Sequence, residues 1–163
     1  MSRLLNPSTA WTVLVAGALA TVAFDLFGQG LSPLAGFAKL APVGLAQQTL
    51  SKVFGTVPNG AAHTLHALTG LLAYPLGYLL VARPIADRVL PALHWSVVAT
   101  TYGVVLWIFA LYVMASLVAG NPPFLAFSGI TWVALWGHIL YALVAAAVIE
   151  ARLPRPVHLP TAA

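Results

Sequence analysis

Four side chains able to do chemistry stand within long apolar stretches of this sequence: Asp25, His63, His66 and His138. A charge or an imidazole inside a bilayer is costly, so each is a candidate for function. His63 and His66 are three residues apart, which places both on one side of a helix. With Asp25 they offer two imidazoles and a carboxylate, the donor types of a metal site, and Gln29 is near in sequence. The same groups could pass a proton. They could also do no more than neutralise Asp25 through a hydrogen bond or ion pair, since buried charges are normally paired. An i, i+3 histidine pair with one distant carboxylate is a common pattern, and the pairing of Asp25 is the favoured reading.

His138 lies in the run Trp132-Val133-Ala134-Leu135-Trp136-Gly137-His138, about ten residues into its apolar stretch. A haem b held between His66 and His138 would need both imidazoles at one height on facing helices. His66 is only about five residues from the start of its own stretch, so the two differ in height by roughly 7–8 Å at 1.5 Å per residue. That offset favours no cofactor, with haem b the candidate if one binds. His94 falls at the opposite end of the molecule. Absence of cysteine excludes disulfides, thiol catalysis and iron–sulfur ligation by thiolates. The sequence carries no phosphate-cradling glycine loop, nucleophile elbow or paired-carboxylate motif, so a non-enzymatic role is expected.

The elements that must position these residues follow from composition. Of 163 residues 61% are hydrophobic and 6% charged, against roughly a quarter charged in soluble domains. Three acidic and seven basic side chains cannot cover a soluble domain of this size, whereas lipid can be its surface. The formal charge of +4 comes from basic residues scattered singly, which suits lipid headgroups and not nucleic acid.

A hydrocarbon core about 30 Å thick needs roughly 20 apolar residues. Four stretches meet or approach this, at about 10–27, 61–82, 93–119 and 124–149. The expected fold is therefore all-α: an integral membrane four-helix bundle in a single domain, 1–152, followed by a Pro-rich tail, 153–163. Pro7 and Ser8 precede the first stretch, Asn59 is an N-cap for the second, and Arg83-Pro84 closes it. The first stretch has features of a signal peptide, but its retention as a span is expected. Arg3, Arg83, Arg88, Arg152 and Arg155 then share one side, and Lys39 and Lys52 the other. Five against two puts both termini in the cytoplasm, N-in/C-in, in a bacterial inner membrane.

The connection between the first two spans is long and carries many apolar residues. A segment at about 31–57 is expected to lie amphipathically on the outer surface. Pro42 would begin a short helix ending near Gly55, with Leu45, Leu50, Val53 and Phe54 inclined to one side. In the second span His63, His66, Gly70, Tyr74 and Gly77 form one stripe, whose favoured reading is a packing seam, and Pro75 interrupts its hydrogen bonds. Gly17 with Thr21, Ala99 with Gly103, and Ala142 with Ala146 are further small-residue seams.

On His63-Thr64-Leu65-His66-Ala67-Leu68-Thr69-Gly70, then Tyr74 and Tyr78, and on Trp136-Gly137-His138-Ile139-Leu140-Tyr141, the chain resembles the YagU-like and related uncharacterised inner-membrane proteins. The resemblance spans roughly residues 60 to 150. It implies a small helical inner-membrane protein without an established activity, and supplies no catalytic residues.

The leading functional expectation is an accessory, non-catalytic subunit or assembly factor, with the lipid bilayer and other membrane subunits or a second copy as partners. It would gain from deep tryptophans that face lipid, and lose if the seams only hold the four helices together. A redox or proton-handling protein using Asp25, His63, His66 and His138 is the alternative, and requires these side chains to converge. A small transporter or channel ranks third, because Pro75 is the only obvious interruption of a helix.

Overall fold

A computed structural model describes residues 6–58 and 60–153. Asn59, Arg3, Arg155 and nearly all of the Pro-rich tail lie outside the described residues. All regular structure among the described residues is helical: α1 (Pro7–Leu34), α2 (Pro42–Phe54), α3 (Ala61–Val89), α4 (Trp95–Val118) and α5 (Gly129–Arg152). Four of these, all but α2, are long and apolar enough to cross a membrane. Asn6 caps α1 by accepting from the Ser8 N–H at 3.1 Å, and His94 caps α4 by accepting from the Ser96 N–H.

Two helices run further than the apolar pattern predicts, α1 to Leu34 instead of residue 27 and α3 to Val89 instead of residue 82. The reason is a local widening to i→i+5 hydrogen bonding over Leu26–Leu31, Thr69–Ala73 and Tyr78–Ala82. Each widened stretch lies just ahead of a proline: Pro33, Pro75 and Pro84. Proline has no N–H to give and its ring crowds the carbonyl four residues back. A widened turn takes up both faults without ending the helix. A fourth such stretch, Phe109–Val118, forms the second half of α4.

The last helix starts later than expected, at Gly129 instead of residue 124. Residues 124–127 instead make a tight left-handed turn, with φ of 50, 53, 56 and 52° at Phe124, Leu125, Ala126 and Phe127. Left-handed backbone is unfavourable for residues with a Cβ. Ring contacts offset it here: Phe124 packs on Trp107 at 4.8 Å, on Tyr112 at 5.6 Å and on Phe127 at 5.2 Å.

The four long helices form a ring in which each packs on its sequence neighbours and α5 closes onto α1. Half of the most apolar window of α5 is buried, against 17% for α3, so α5 is the inner pillar and α3 the most peripheral. The small-residue seams face inward. Ala16 and Ala20 of α1, Ala99 of α4, and Ala142 and Ala146 of α5 are all buried. Between them the backbones come close: a Cβ on Gly17 would strike the Leu71 and Gly70 carbonyls, and one on Gly103 would strike the Ile139 backbone. These seams are spent inside the bundle.

After α1 the chain doubles back. The Leu40 N–H donates to the Gly28 carbonyl at 2.8 Å, and the Leu40 side chain fills the space that a side chain at Gly28 would take. This sets α2 against α3 and the second half of α4, and the Asn121 amide ties it there by donating to Gln48 Oε1 at 3.1 Å. The inward face of α2 is centred on Thr49, while Val53 and Phe54 are exposed. That corrects the expected grouping of Leu45, Leu50, Val53 and Phe54: the bundle beneath selects a narrower face, and Val53 and Phe54 are left for an outer apolar environment.

At the far end of the ring, α3 and α5 are joined by a buried ion pair. Arg83 Nε is 3.5 Å from Glu150 Oε1, Arg83 Nη2 donates to the Leu153 carbonyl at 2.8 Å, and the Tyr78 hydroxyl donates to Glu150 at 3.0 Å.

Candidate functional site

Asp25 occupies the last turn of α1 before the widened stretch, and Gln29 is one turn on. Gln29 Nε2 donates to Asp25 Oδ1 at 2.8 Å. From α3, His66 Nε2 lies 3.2 Å from both carboxylate oxygens. A carboxylate can only accept, so His66 carries its proton on Nε2 in this contact. The pair joins residues 41 apart in sequence and is partly buried, with side chains 20% (His66) and 33% (Asp25) exposed. Asp25 is thus held both by its own helix and by the next one.

His63, one turn earlier on α3, is exposed. Among the described residues no group of three or more His, Asp or Glu side chains could hold a metal ion. The expected set of Asp25, His63 and His66 is therefore not brought together: helical rotation carries His66 inward and His63 out.

His138 is buried in α5. Its Nδ1 is 2.7 Å from the Ala134 carbonyl, so Nδ1 donates and the neutral ring keeps Nε2 as an acceptor. Phe24 meets this ring edge to face with centroids 5.1 Å apart, and Tyr74 is at 6.3 Å.

His66 and His138 border a common cavity of about 150 Å³ between α2 and the four long helices. All five helices contribute to its wall. Thr21 and Phe24 come from α1, Leu45, Ala46 and Thr49 from α2, and Leu65, His66, Thr69 and Tyr74 from α3. Phe109 and Met114 of α4 and His138 and Tyr141 of α5 complete it. The Tyr141 hydroxyl is engaged in a short hydrogen bond to the Gly70 carbonyl. The Thr49 hydroxyl is buried without a hydrogen-bond partner.

A haem does not fit between His66 and His138. The cavity is well below the roughly 300–1,000 Å³ of pockets that take drug-sized ligands, and His66 Nε2 is already committed to Asp25.

The contact between Asp25 and His66 follows from their common height, near the end of the first apolar stretch and the start of the second, when consecutive spans run antiparallel. Thr49 was not legible as a site residue, although its place three and four residues after Ala46 and Leu45 marks it as a polar residue on an apolar helical face. Of the deeper aromatic residues, Tyr102 and Trp107 turn inward and donate to the Tyr74 and Thr131 carbonyls at 2.7 and 3.0 Å. Trp132 and Trp136 face outward. The chain matches no family model, no curated protein and no solved structure.

Proposed function

We propose that this is a non-enzymatic, multi-pass protein of a bacterial inner membrane, whose working group is a proton-accepting carboxylate–imidazole pair, Asp25 with His66. The observation that carries this reading is the convergence of the two residues from separate membrane-crossing helices, with Gln29 holding the carboxylate from the third side. A carboxylate and an imidazole in contact can share and exchange a proton, and a partly buried position limits exchange with water. Because α1 and α3 are joined there, a change in the proton count of the pair would alter that junction and make the bundle responsive to pH on the side where the pair lies.

Infrared difference spectra recorded between about pH 4 and pH 8, a range spanning ordinary carboxyl and imidazole titration, test this. A carboxylic acid band that appears on acidification and is missing from Asp25→Asn is expected. A spectrum identical in Asp25→Asn and the unsubstituted protein would remove the reading.

The outward position of Trp136, 62% exposed and about two turns inside α5, favours a second reading. In it the protein is an accessory subunit that packs this face on a larger membrane complex. Gentle detergent extraction and measurement of the intact native mass would show such a complex directly, whereas a lone chain would count against it.

A further inference from the structure

We propose that the cavity between α2 and the four long helices is a binding site for a neutral, single-ring lipophile bearing a hydroxyl group, of the phenol or quinol head-group class. The inference stands on the cavity, His138 and Thr49, and does not require Asp25 and His66 to exchange a proton, although His66 also borders the cavity.

Three observations converge on it. The first is size: about 150 Å³ matches the volume known to take benzene in an engineered protein cavity, so a single ring fits. The second is polarity. The wall is mainly apolar, with Phe24, Leu65, Phe109 and Met114 presenting rings, methyls and a thioether, which favours a neutral ligand because the one ionisable pair at its edge, His66 with Asp25, is already mutually engaged. Polar groups are nevertheless available, and the Thr21 hydroxyl, buried without a hydrogen-bond partner like that of Thr49, is one of them. His138 has spent its Nδ1 proton on Ala134, leaving Nε2 to accept from a ligand hydroxyl. Thr49, only 4% exposed, has a hydroxyl with no partner in the protein and can donate to a ligand oxygen. Orphaned buried hydroxyls are uncommon, and a ligand group that satisfies one is a direct explanation.

The third observation is backbone geometry. Two widened stretches, Thr69–Ala73 and Phe109–Val118, contribute Thr69, Phe109 and Met114 to the wall. The first lies just ahead of Pro75 in the same helix, whereas α4 holds no proline at all. Widened turns of this kind recur at functional sites because they re-aim side chains that a regular helix would align elsewhere. Across the cavity lies α2, which reaches it with Leu45, Ala46 and Thr49 and belongs to none of the four long helices.

The test uses the full-length protein in detergent micelles, with 4-ethylphenol as probe and ethylbenzene, which lacks the hydroxyl, as control. Titration calorimetry is expected to give one saturable site for 4-ethylphenol and weaker binding of ethylbenzene. Ala46→Trp, which fills the cavity from α2, should lower 4-ethylphenol affinity at least tenfold. Thr49→Val and His138→Leu should each lower it about fivefold, the value of one neutral hydrogen bond, and leave ethylbenzene unchanged. Non-saturable uptake equal in the protein and in Ala46→Trp would overturn the site. Equal affinity for the two probes, unaltered by Thr49→Val, would overturn the assignment of a hydroxylated ligand. Should His138→Leu fail to fold, the two α2 variants decide the matter, since neither touches the packing of α5.

Discussion

A single methyl group separates tolerance from damage along the inner seams. At Gly17 an added Cβ meets backbone, the carbonyls of Leu71 and Gly70, and backbone on a neighbouring helix cannot rotate away. Gly17→Ala is expected to destabilise the protein by about 1–3 kcal/mol, the usual cost of overpacking. At Gly77 the obstacle is the Tyr102 hydroxyl, the far end of a side chain, so Gly77→Ala should cost less and act by displacing the Tyr102 bond to the Tyr74 carbonyl. Gly30 meets only Leu26 Cδ1 at 3.6 Å, an ordinary contact, and Gly30→Ala should leave stability within about 0.5 kcal/mol. Unfolding in mixed micelles under increasing denaturing detergent would rank the three, and equal effects would mean that the seams are loosely packed. This ordering also marks what the sequence discloses at the residue scale. That Gly17 and Gly70 sit on packing seams follows from their type and spacing. Which partner each meets does not, because helix rotation is set by the whole ring: the same rotation separates His63 from His66 and turns Thr49 into the cavity.

At the scale of elements, hydropathy predicted four long helices and located each of them, but not their ends. The prolines read as terminators, and widened turns ahead of Pro33, Pro75 and Pro84 let α1 and α3 continue. In the opposite direction, an apolar run at 124–127 read as helix is a left-handed turn instead, with its aromatic residues stacked on Trp107 and Tyr112. Ala126 lies in that turn with φ of 56° and contributes no ring to the stack. Replacing it with glycine removes the steric cost of a left-handed L-residue, about 1–2 kcal/mol, against a smaller loss through the freer unfolded chain. Ala126→Gly should raise stability by about 0.5–1 kcal/mol, read as a higher detergent or thermal midpoint. A lower midpoint would show that the methyl packs usefully. The Arg83–Glu150 pair makes a second element-scale prediction. Both side chains are about nine-tenths buried, so removing one strands the other, at a cost of about 3–5 kcal/mol for a fully buried pair and less near lipid headgroups. Arg83→Met should therefore cost more than Arg83→Met combined with Glu150→Met. A double variant as unstable as the sum of the two singles would mean that the pair contributes nothing as a unit.

For the whole molecule, the distribution of charge makes one claim that packing does not: direction. A ring of four apolar helices is equally stable either way up, and only its polar ends differ. Lys39 and Lys52 lie at the end that carries α2 and the Asp25–His66 pair, while Arg83, Arg88 and Arg152 lie at the other. Basic residues in short loops are retained on the cytoplasmic side, so the end with Arg83 should face inward. The proposed proton-accepting pair then faces the outer side of the membrane, so the proposed role depends on this direction. The absence of native cysteine makes the test direct. Thr56, just beyond α2, and Ala92, between α3 and α4, are both exposed, and each can be replaced singly by cysteine. In whole cells with a permeabilised outer envelope, a membrane-impermeant maleimide should label Thr56→Cys at once and Ala92→Cys only after the inner membrane is broken. The reverse pattern would invert the topology and place Asp25 and His66 on the cytoplasmic side. An acid-responsive reading would then have to refer to cytoplasmic pH. Equal labelling at both positions in sealed cells would argue against four membrane crossings altogether, because α3 alone separates the two sites.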